Sequence, residues 1–345
     1  MTDNTRCLAS LLGLALGDSM GQPTEFSRGE RVRTMTIHTT PGRFRWTDDT
    51  HMAMYLGAAI LKMPTSEWSD RDLENFGDRV GEEWVTWLSD PARVGTAPGG
   101  TCTAGAMAYA NHRDWQRSGV RSSDGCGAVM RIAPLALALE PSALLRAAHI
   151  QAVTTHAHPN APAGAMAGAF IHAQALEYEG TDQRQEFQRW ILGGAEAAGT
   201  DAPTVIGALK SALVVGDGDF DWLPEAEIPA GDGGWRTPSA LGLALAACLR
   251  WGFEDGVVTP ASFDLAVEKA ARIDGDSDSV ACLVGMYLGA LGGLSVVQAH
   301  PGYAAIRDRE VIEELAERLW AWRSGETPTA FCVKQALAKS REVTS

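Results

Sequence analysis

Apolar residues recur at helical spacing along most of this 345-residue chain, and period-two alternation is nearly absent. In the segment 73–88, Leu73, Phe76, Val80, Trp84, Trp87 and Leu88 fall near one face, with Asp and Glu between them. The same spacing, or an Ala/Leu/Met run of helical length, predicts helices over 7–16, 51–61, 101–111, 133–139, 142–153 and 162–178. Others are predicted over 186–198, 202–214, 238–251, 262–273, 279–291 and 310–323. The first is predicted to stop at Gly17-Asp18, a pair that reads as a helix end leading into a loop. The stretches 241–249 and 280–291 are apolar on most faces and belong inside a bundle. One stretch, 31–40, carries Val32, Thr34, Thr36 and Thr39 and predicts a short strand. No fixed-period repeat is present.

The expectation is an all-α fold. Length alone would suggest about two domains, but Gly and Pro are scattered and no linker separates two composition regimes. A single domain over 1–345 is therefore expected. Hydrophobic content of 45% is ample for a large core, and 21% charged residues fits a heavily buried helical protein. The net charge of −14 argues against a broad nucleic-acid-binding surface. Nucleic acid enters only as a modified substrate. The run 241–249 is too short to span a bilayer, so no membrane association is expected. The six cysteines are widely spaced with no C-x-x-C pair, which points away from a disulfide framework or zinc site. With no secretory signal pattern at the N-terminus, a cytoplasmic location is expected.

Two acidic clusters carry the most chemistry. Thr47-Asp48-Asp49-Thr50 and Asp274-Gly275-Asp276-Ser277-Asp278-Ser279 each run into an apolar helix. Carboxylates and hydroxyls together suit hard cations such as Mg²⁺. The first cluster also reads as an ordinary helix cap; the second also reads as a solvated acidic turn. Calcium is a further alternative for Asp276-x-Asp278, but the later Gly and closing Glu of an EF-hand do not follow. Two adjacent carboxylates exceed what one cap needs, and their repulsion is relieved by a cation.

Other segments are weaker alone. Gly17-Asp18-Ser19-Met20-Gly21 with Glu25 follows the first helix. Gly125-Cys126-Gly127 up to Arg131 suits either phosphate binding at exposed backbone N–H groups or close helix packing, with Arg131 an ion-pair partner in the bland reading. His156 and His158 form a His-x-His pair without a further zinc ligand in view, so a hydrogen-bonding histidine in a pocket wall is the other reading. The segment 222–235, with its Gly-rich turn, reads as a cleft entrance or a surface loop.

Taken in order, Gly17-Asp18-x-x-Gly21 with Glu25, Thr47-Asp48-Asp49-Thr50, Gly125-x-Gly127-x-x-Met130-Arg131, Thr155-His156 and Gly275-Asp276-Ser277-Asp278-Ser279 resemble the ADP-ribosylglycohydrolase family. The resemblance spans 11–293. It implies a compact multi-helix orthogonal bundle with a central metal cleft holding two divalent cations, Mg²⁺ or Mn²⁺. Thr47, Asp48 and Asp49 would ligate from one side, and Asp276, Asp278 and Ser279 from the other. Ser123, Asp124, Gly125, Cys126 and Gly127 would line the diphosphate and ribose path, with His156 facing ribose or phosphate. Many members have Asn where Cys126 stands; Cys is a poor hydrogen-bond partner, so the resemblance leaves the ribose contacts and linkage preference open here.

The implied reaction is hydrolysis of the bond between ADP-ribose and an acceptor (protein side chain, nucleobase or small molecule). Glu25, Asp49 and Asp278 are the candidate catalytic residues. A metal-dependent nucleotide phosphohydrolase and a non-catalytic ADP-ribose-binding protein are the rivals. The acceptor and the identity of the general base stay open at this point.

Overall fold

The computed structural model describes residues 4–65, 67–219, 221–326 and 331–344. Among the described residues the chain forms helices and no strand. The first half contains α1 (Asn4–Gly21), α2 (Glu30–Thr34), α3 (Asp48–Leu61), α4 (Asp70–Leu88), α5 (Gly100–His112), α6 (Ala133–Ala138), α7 (Pro141–Val153) and α8 (Asn160–Glu177). The second contains α9 (Gln183–Ala197), α10 (Pro203–Asp217), α11 (Thr237–Trp251), α12 (Pro260–Ala270), α13 (Ser277–Gly292), α14 (Leu294–Ala299), α15 (Arg309–Arg323) and α16 (Val333–Thr344).

Local chemistry sets many of these starts. Thr47 caps α3, and Ser69 with Asp72 forms a capping box on α4. Proline stands in the first turn of α6, α7, α10, α11 and α12, where no N–H is needed. The helices expected inside the bundle are inside it: every residue of α13 from Ser277 to Leu291 is buried, as is every residue of α3. Helix α4 keeps an apolar face inward through Leu73, Phe76, Val80, Trp84 and Trp87. One buried cluster links residues from Cys7 to Leu337. No helix among the described residues is long and apolar enough to cross a membrane.

At the centre α1 and α13 lie antiparallel, backbone against backbone. Gly13, Gly17 and Gly21 recur every four residues on α1 and face Gly285, Ala281 and Asp278 of α13. A methyl at Gly13 would sit 2.2 Å from the Gly285 carbonyl oxygen, and one at Gly17 would sit 2.0 Å from that of Ala281. Only hydrogen fits there. This corrects the expectation that α1 ends at Gly17: the glycine is an approach point for a second helix, and α1 continues to Gly21.

The strand expected over 31–40 is also corrected. Residues 30–34 form a short helix, and its carbonyls find their partner in a side chain rather than in a neighbouring strand. Arg272 Nη1 donates to the carbonyls of Val32, Arg33 and Met35 at 2.9–3.2 Å. Helices α2, α14 and α16 are additions to the expected set. The six cysteines are free thiols, with Cys332 exposed.

The α1–α13 contact is directly testable. Gly285→Ala should destabilise the protein by about 1–3 kcal/mol in urea unfolding, because rigid backbone meets the new methyl. Gly207→Ala on α10, whose nearest neighbour would be 3.4 Å away, is the control and should be neutral or stabilising. Equal effects from the two would contradict the packing argument.

Candidate active site

The C-terminal end of α1 meets the N-terminal end of α13 through hydroxyl bonds. Ser277 Oγ donates to the Gly21 carbonyl at 3.0 Å, and Thr24 Oγ1 lies 3.0 Å from Ser277 Oγ. The turn after α1 therefore brings Glu25 against the first turn of α13. Helix α3 is drawn to the same place by Asp18, whose buried carboxylate accepts from Thr47 N, Thr50 N and Thr50 Oγ1 at 2.6–3.0 Å. The result is a cavity of about 400 Å³ whose lining includes Glu25, Asp48, Asp49, Asp276, Asp278 and Ser279. Two sequence segments more than 200 positions apart are thus brought together, as the metal reading requires.

The carboxylates are crowded. One oxygen from each of Glu25, Asp276 and Asp278 lies within 4.8 Å of the others. Burial, then Asp278 and other acidic neighbours, pushes Glu25 up to about 10. Burial is also the main cause that holds Asp48 near 8, opposed by the Gly99 N–H that bonds Asp48 Oδ2 at 3.1 Å. Asp49 and Asp276 are raised well above the usual range by burial and by Asp278. Asp49 Oδ2 and Asp278 Oδ1 are buried with no hydrogen-bond partner among the described residues. Orphaned acceptors and repelling carboxylates in one cavity form a hard, oxygen-rich donor set that fits divalent cations.

A second wall comes from the glycine loop. Cys126 N donates to the Trp235 carbonyl at 3.0 Å, and Thr237 N donates to that of Asp124 at 2.7 Å. Asp276 N in turn donates to Gly233 O at 2.8 Å. The segment 233–237 thus stitches the Gly125-x-Gly127 loop to the acidic loop. Trp235 lines the cavity, so this end of the 222–235 segment is at the cleft. Phe26 closes over it, 69% exposed, stacked on Trp235 with ring centroids 5.3 Å apart.

The two glycines make room for His156. A methyl on Gly125 would stand 3.1 Å from His156 Nε2, and one on Gly127 would stand 2.8 Å from its Cε1. Burial holds this histidine down at about 3, so it is neutral. Its tautomer follows from the bonds behind it. Arg131 Nη2 donates to Thr155 Oγ1 at 2.7 Å, and Thr155 Oγ1 lies 2.8 Å from His156 Nδ1. Two acceptors are open to the Thr155 hydroxyl, the Ala152 carbonyl at 3.4 Å and His156 Nδ1 at 2.8 Å, and the shorter contact assigns the proton to Nδ1, which leaves the hydrogen on Nε2 as a donor beside the loop. Arg131 is fully buried, bonded to Gln151 and Thr155 and lying over Trp84 at 4.4 Å. That replaces the ion-pair role considered for it.

Gly125, Cys126, Gly127 and His156 line the cavity, while Thr47, Ser123 and Asp124 stand behind it. Thr47 Oγ1 accepts from Asp49 N at 3.3 Å as the α3 cap. Ser123 Oγ is 3.0 Å from Thr101 Oγ1. Asp124 binds Arg236 through both oxygens and Asn160 through one. His158 turns toward Asp124 at 3.8 Å, so the His-x-His pair shares no ligand. Asp274 accepts from Gly29 N at 2.8 Å, tying the loop after α1 in place. The sequence reading did not single out Phe26, Thr101 or Cys102 as lining residues. Asp18 lay within a noted motif, but its hold on α3 crosses elements and leaves no local signal.

The sequence pattern described as ADP-ribosylglycohydrolase matches residues 1–328. The chain belongs to that family. Among relatives, an uncharacterized protein of Archaeoglobus fulgidus is 29% identical over 90% of the chain and 94% of its own length. The ADP-ribosyl-[dinitrogen reductase] glycohydrolase of Rhodospirillum rubrum is 32% identical over 48% of the chain and 57% of its own length. An ADP-ribosylarginine hydrolase of Serratia proteamaculans is 25% identical over 90% of the chain and 78% of its own length. A solved structure described as an ADP-ribosylglycohydrolase-related protein complex shares the fold, with a TM-score of 0.69 at 24% identity over 93% of this chain and 98% of that one.

Charge crowding in this family member predicts a pH dependence. A carboxyl whose folded pKa is raised binds its proton more tightly when folded, so stability falls as pH rises through the folded value. The buried histidines act in the opposite sense, but their contribution is complete above about 6.5. Between pH 6.5 and 8 the chelator-treated protein should lose thermal stability, and saturating Mg²⁺ or Mn²⁺ should flatten the slope. A flat cation-free profile across that window would contradict the crowding.

The histidine arrangement makes a separate prediction, readable by ¹⁵N NMR. His156 should show the Nε2–H tautomer at pH 7, and Thr155→Val should release it to a tautomer mixture. A wild-type His156 carrying its proton on Nδ1 would refute the bond direction given above.

Proposed function

We propose that the chain hydrolyses the glycosidic bond between ADP-ribose and an acceptor, releasing ADP-ribose, with two divalent cations, Mg²⁺ or Mn²⁺, as cofactors. The observation that carries this reading is the meeting of Asp48 and Asp49 with Asp276 and Asp278 in one cavity, two of their oxygens buried and unpartnered. The names of the Rhodospirillum and Serratia relatives favour an ADP-ribosylated protein side chain as substrate, arginine among them. The continuous buried core supports residues 1–345 acting as one domain. Cysteines without disulfides fit a cytoplasmic location.

When bound, the cations supply a template for the ribose hydroxyls and a more acidic water. Asp48 and Asp49 from α3, Asp276 at the cap of α13, and Asp278 and Ser279 in its first turn would hold them, with Thr47 fixing the first pair from behind. His156 Nε2–H and the Gly127 N–H face the ribose and diphosphate as neutral donors, since the N–H groups of Gly125 and Cys126 are bonded to Ser123 Oγ and the Trp235 carbonyl. Glu25 or Asp278, in its ionised form, takes the proton of the water that attacks the anomeric carbon as the bond to the acceptor breaks.

Asp278→Ala should lower turnover of ADP-ribosylated arginine or protein by at least about 100-fold, with the helical circular dichroism unchanged. Wild-type turnover by that variant would remove the metal-centred mechanism. Free ADP-ribose is the expected product; AMP or inorganic phosphate in its place would make the chain a phosphohydrolase.

A further inference from the structure

Cys126 stands between the two glycines of the loop, and its sulfur reaches the acidic cluster. Sγ is 2.7 Å from Asp276 Oδ2, and Ser279 Oγ donates to Sγ at 3.6 Å. Both neighbours are groups assigned above to the cations. We propose that Cys126 is itself a cation ligand, making this a mixed oxygen–sulfur centre that takes thiophilic divalent cations such as Cd²⁺ and Zn²⁺ through sulfur, besides hard cations through its carboxylates. The proposal rests on the cation reading of the preceding section.

Geometry and donor chemistry support it together. Zinc–sulfur bonds of about 2.3 Å and zinc–oxygen bonds of about 2.0–2.2 Å, and the longer bonds of cadmium, let one ion touch both atoms of a sulfur–oxygen pair as close as this one. Independently, Asp49 Oδ2 and Asp278 Oδ1 are unpartnered in the same cavity, so the thiol does not stand alone as a candidate ligand. Sulfur is the soft member of an otherwise hard set, and softness selects among cations that oxygen ligands would bind alike.

Without an ion, the thiol hydrogen goes to Asp276. With an ion, the sulfur gives a lone pair to the cation and its proton leaves to solvent, with no change of oxidation state. Cys102 also lines the cavity, but its sulfur lies 3.8 Å from the Arg131 guanidinium, where a second cation is repelled. Cys282 directs its sulfur at the Met130 carbonyl, 3.4 Å away. Cys126 is therefore the thiol placed to bind.

The experiment uses the chelator-stripped full chain with Cys332→Ser as background, which removes the exposed thiol. Cd²⁺ is titrated while the ultraviolet thiolate-to-cadmium charge-transfer band is followed, and Mn²⁺ binding is measured separately by EPR. The band should appear and saturate, Cys126→Ser should abolish it and weaken Cd²⁺ by at least about 10-fold, and Cys102→Ser should retain it. Mn²⁺ affinity should change little in Cys126→Ser. A band that survives Cys126→Ser, or no band in a protein that still binds Mn²⁺, would overturn the sulfur ligand and leave the proposed function standing. Failure to bind either cation would bring down the cation reading and this proposal with it.

Discussion

The structure depends on one close approach, the backbone contact between α1 and α13. With no side chain at Gly13, Gly17, Gly285 and Gly289, the two helices lie closer than ordinary packing allows. Their antiparallel sense then decides what meets at the end. The turn carrying Glu25 leaves α1 where Asp276 and Asp278 enter α13, and Asp18, one turn back, reaches sideways to hold α3. A shift of this pair would displace the supports of all three acidic segments together.

The way the fold treats another carboxylate shows what is unusual about the cluster. Burial pushes Asp90 upward, but hydrogen bonds from His51, Ala92 N and Tyr55 outweigh it and hold the group down at about 2. That is how a structural acid is satisfied in an interior. Asp49 and Asp278 have orphaned oxygens and like-charged neighbours instead. Those two oxygens lack such donors, and the contrast is what makes this cavity the candidate site.

Much of this was legible in the sequence. The 3.6-residue spacing marked most long helices, and all-round apolar segments such as 280–291 lie buried as expected. The acidic clusters were visible because carboxylates are poorly suited to an apolar context without a task, while Glu25, the Gly125-x-Gly127 loop and His156 were weak alone and stood out only through the resemblance to the family. What stayed hidden has physical causes. Gly17 looked like a stop signal because a glycine that admits another helix is identical, locally, to one that ends its own. The threonines of 31–40 looked like strand because the partner of those carbonyls, Arg272, lies 237–240 positions away. Asp124 belonged to a recognisable motif, but its bidentate bond to Arg236 is a tertiary fact.

Pairing the first helix with the thirteenth also fixes when the protein can finish folding. Gly21 and Ser277, bonded across the seam, are 256 residues apart. During synthesis α1 emerges long before α13, and its glycine face stays uncovered until Ser277–Gly292 has left the ribosome. Contacts of such sequence separation form slowly, since a long loop must close before any of them stabilises the chain. The cavity therefore assembles late, and a chain interrupted before residue 276 would carry Glu25, Asp48 and Asp49 without Asp276 and Asp278 to complete the set.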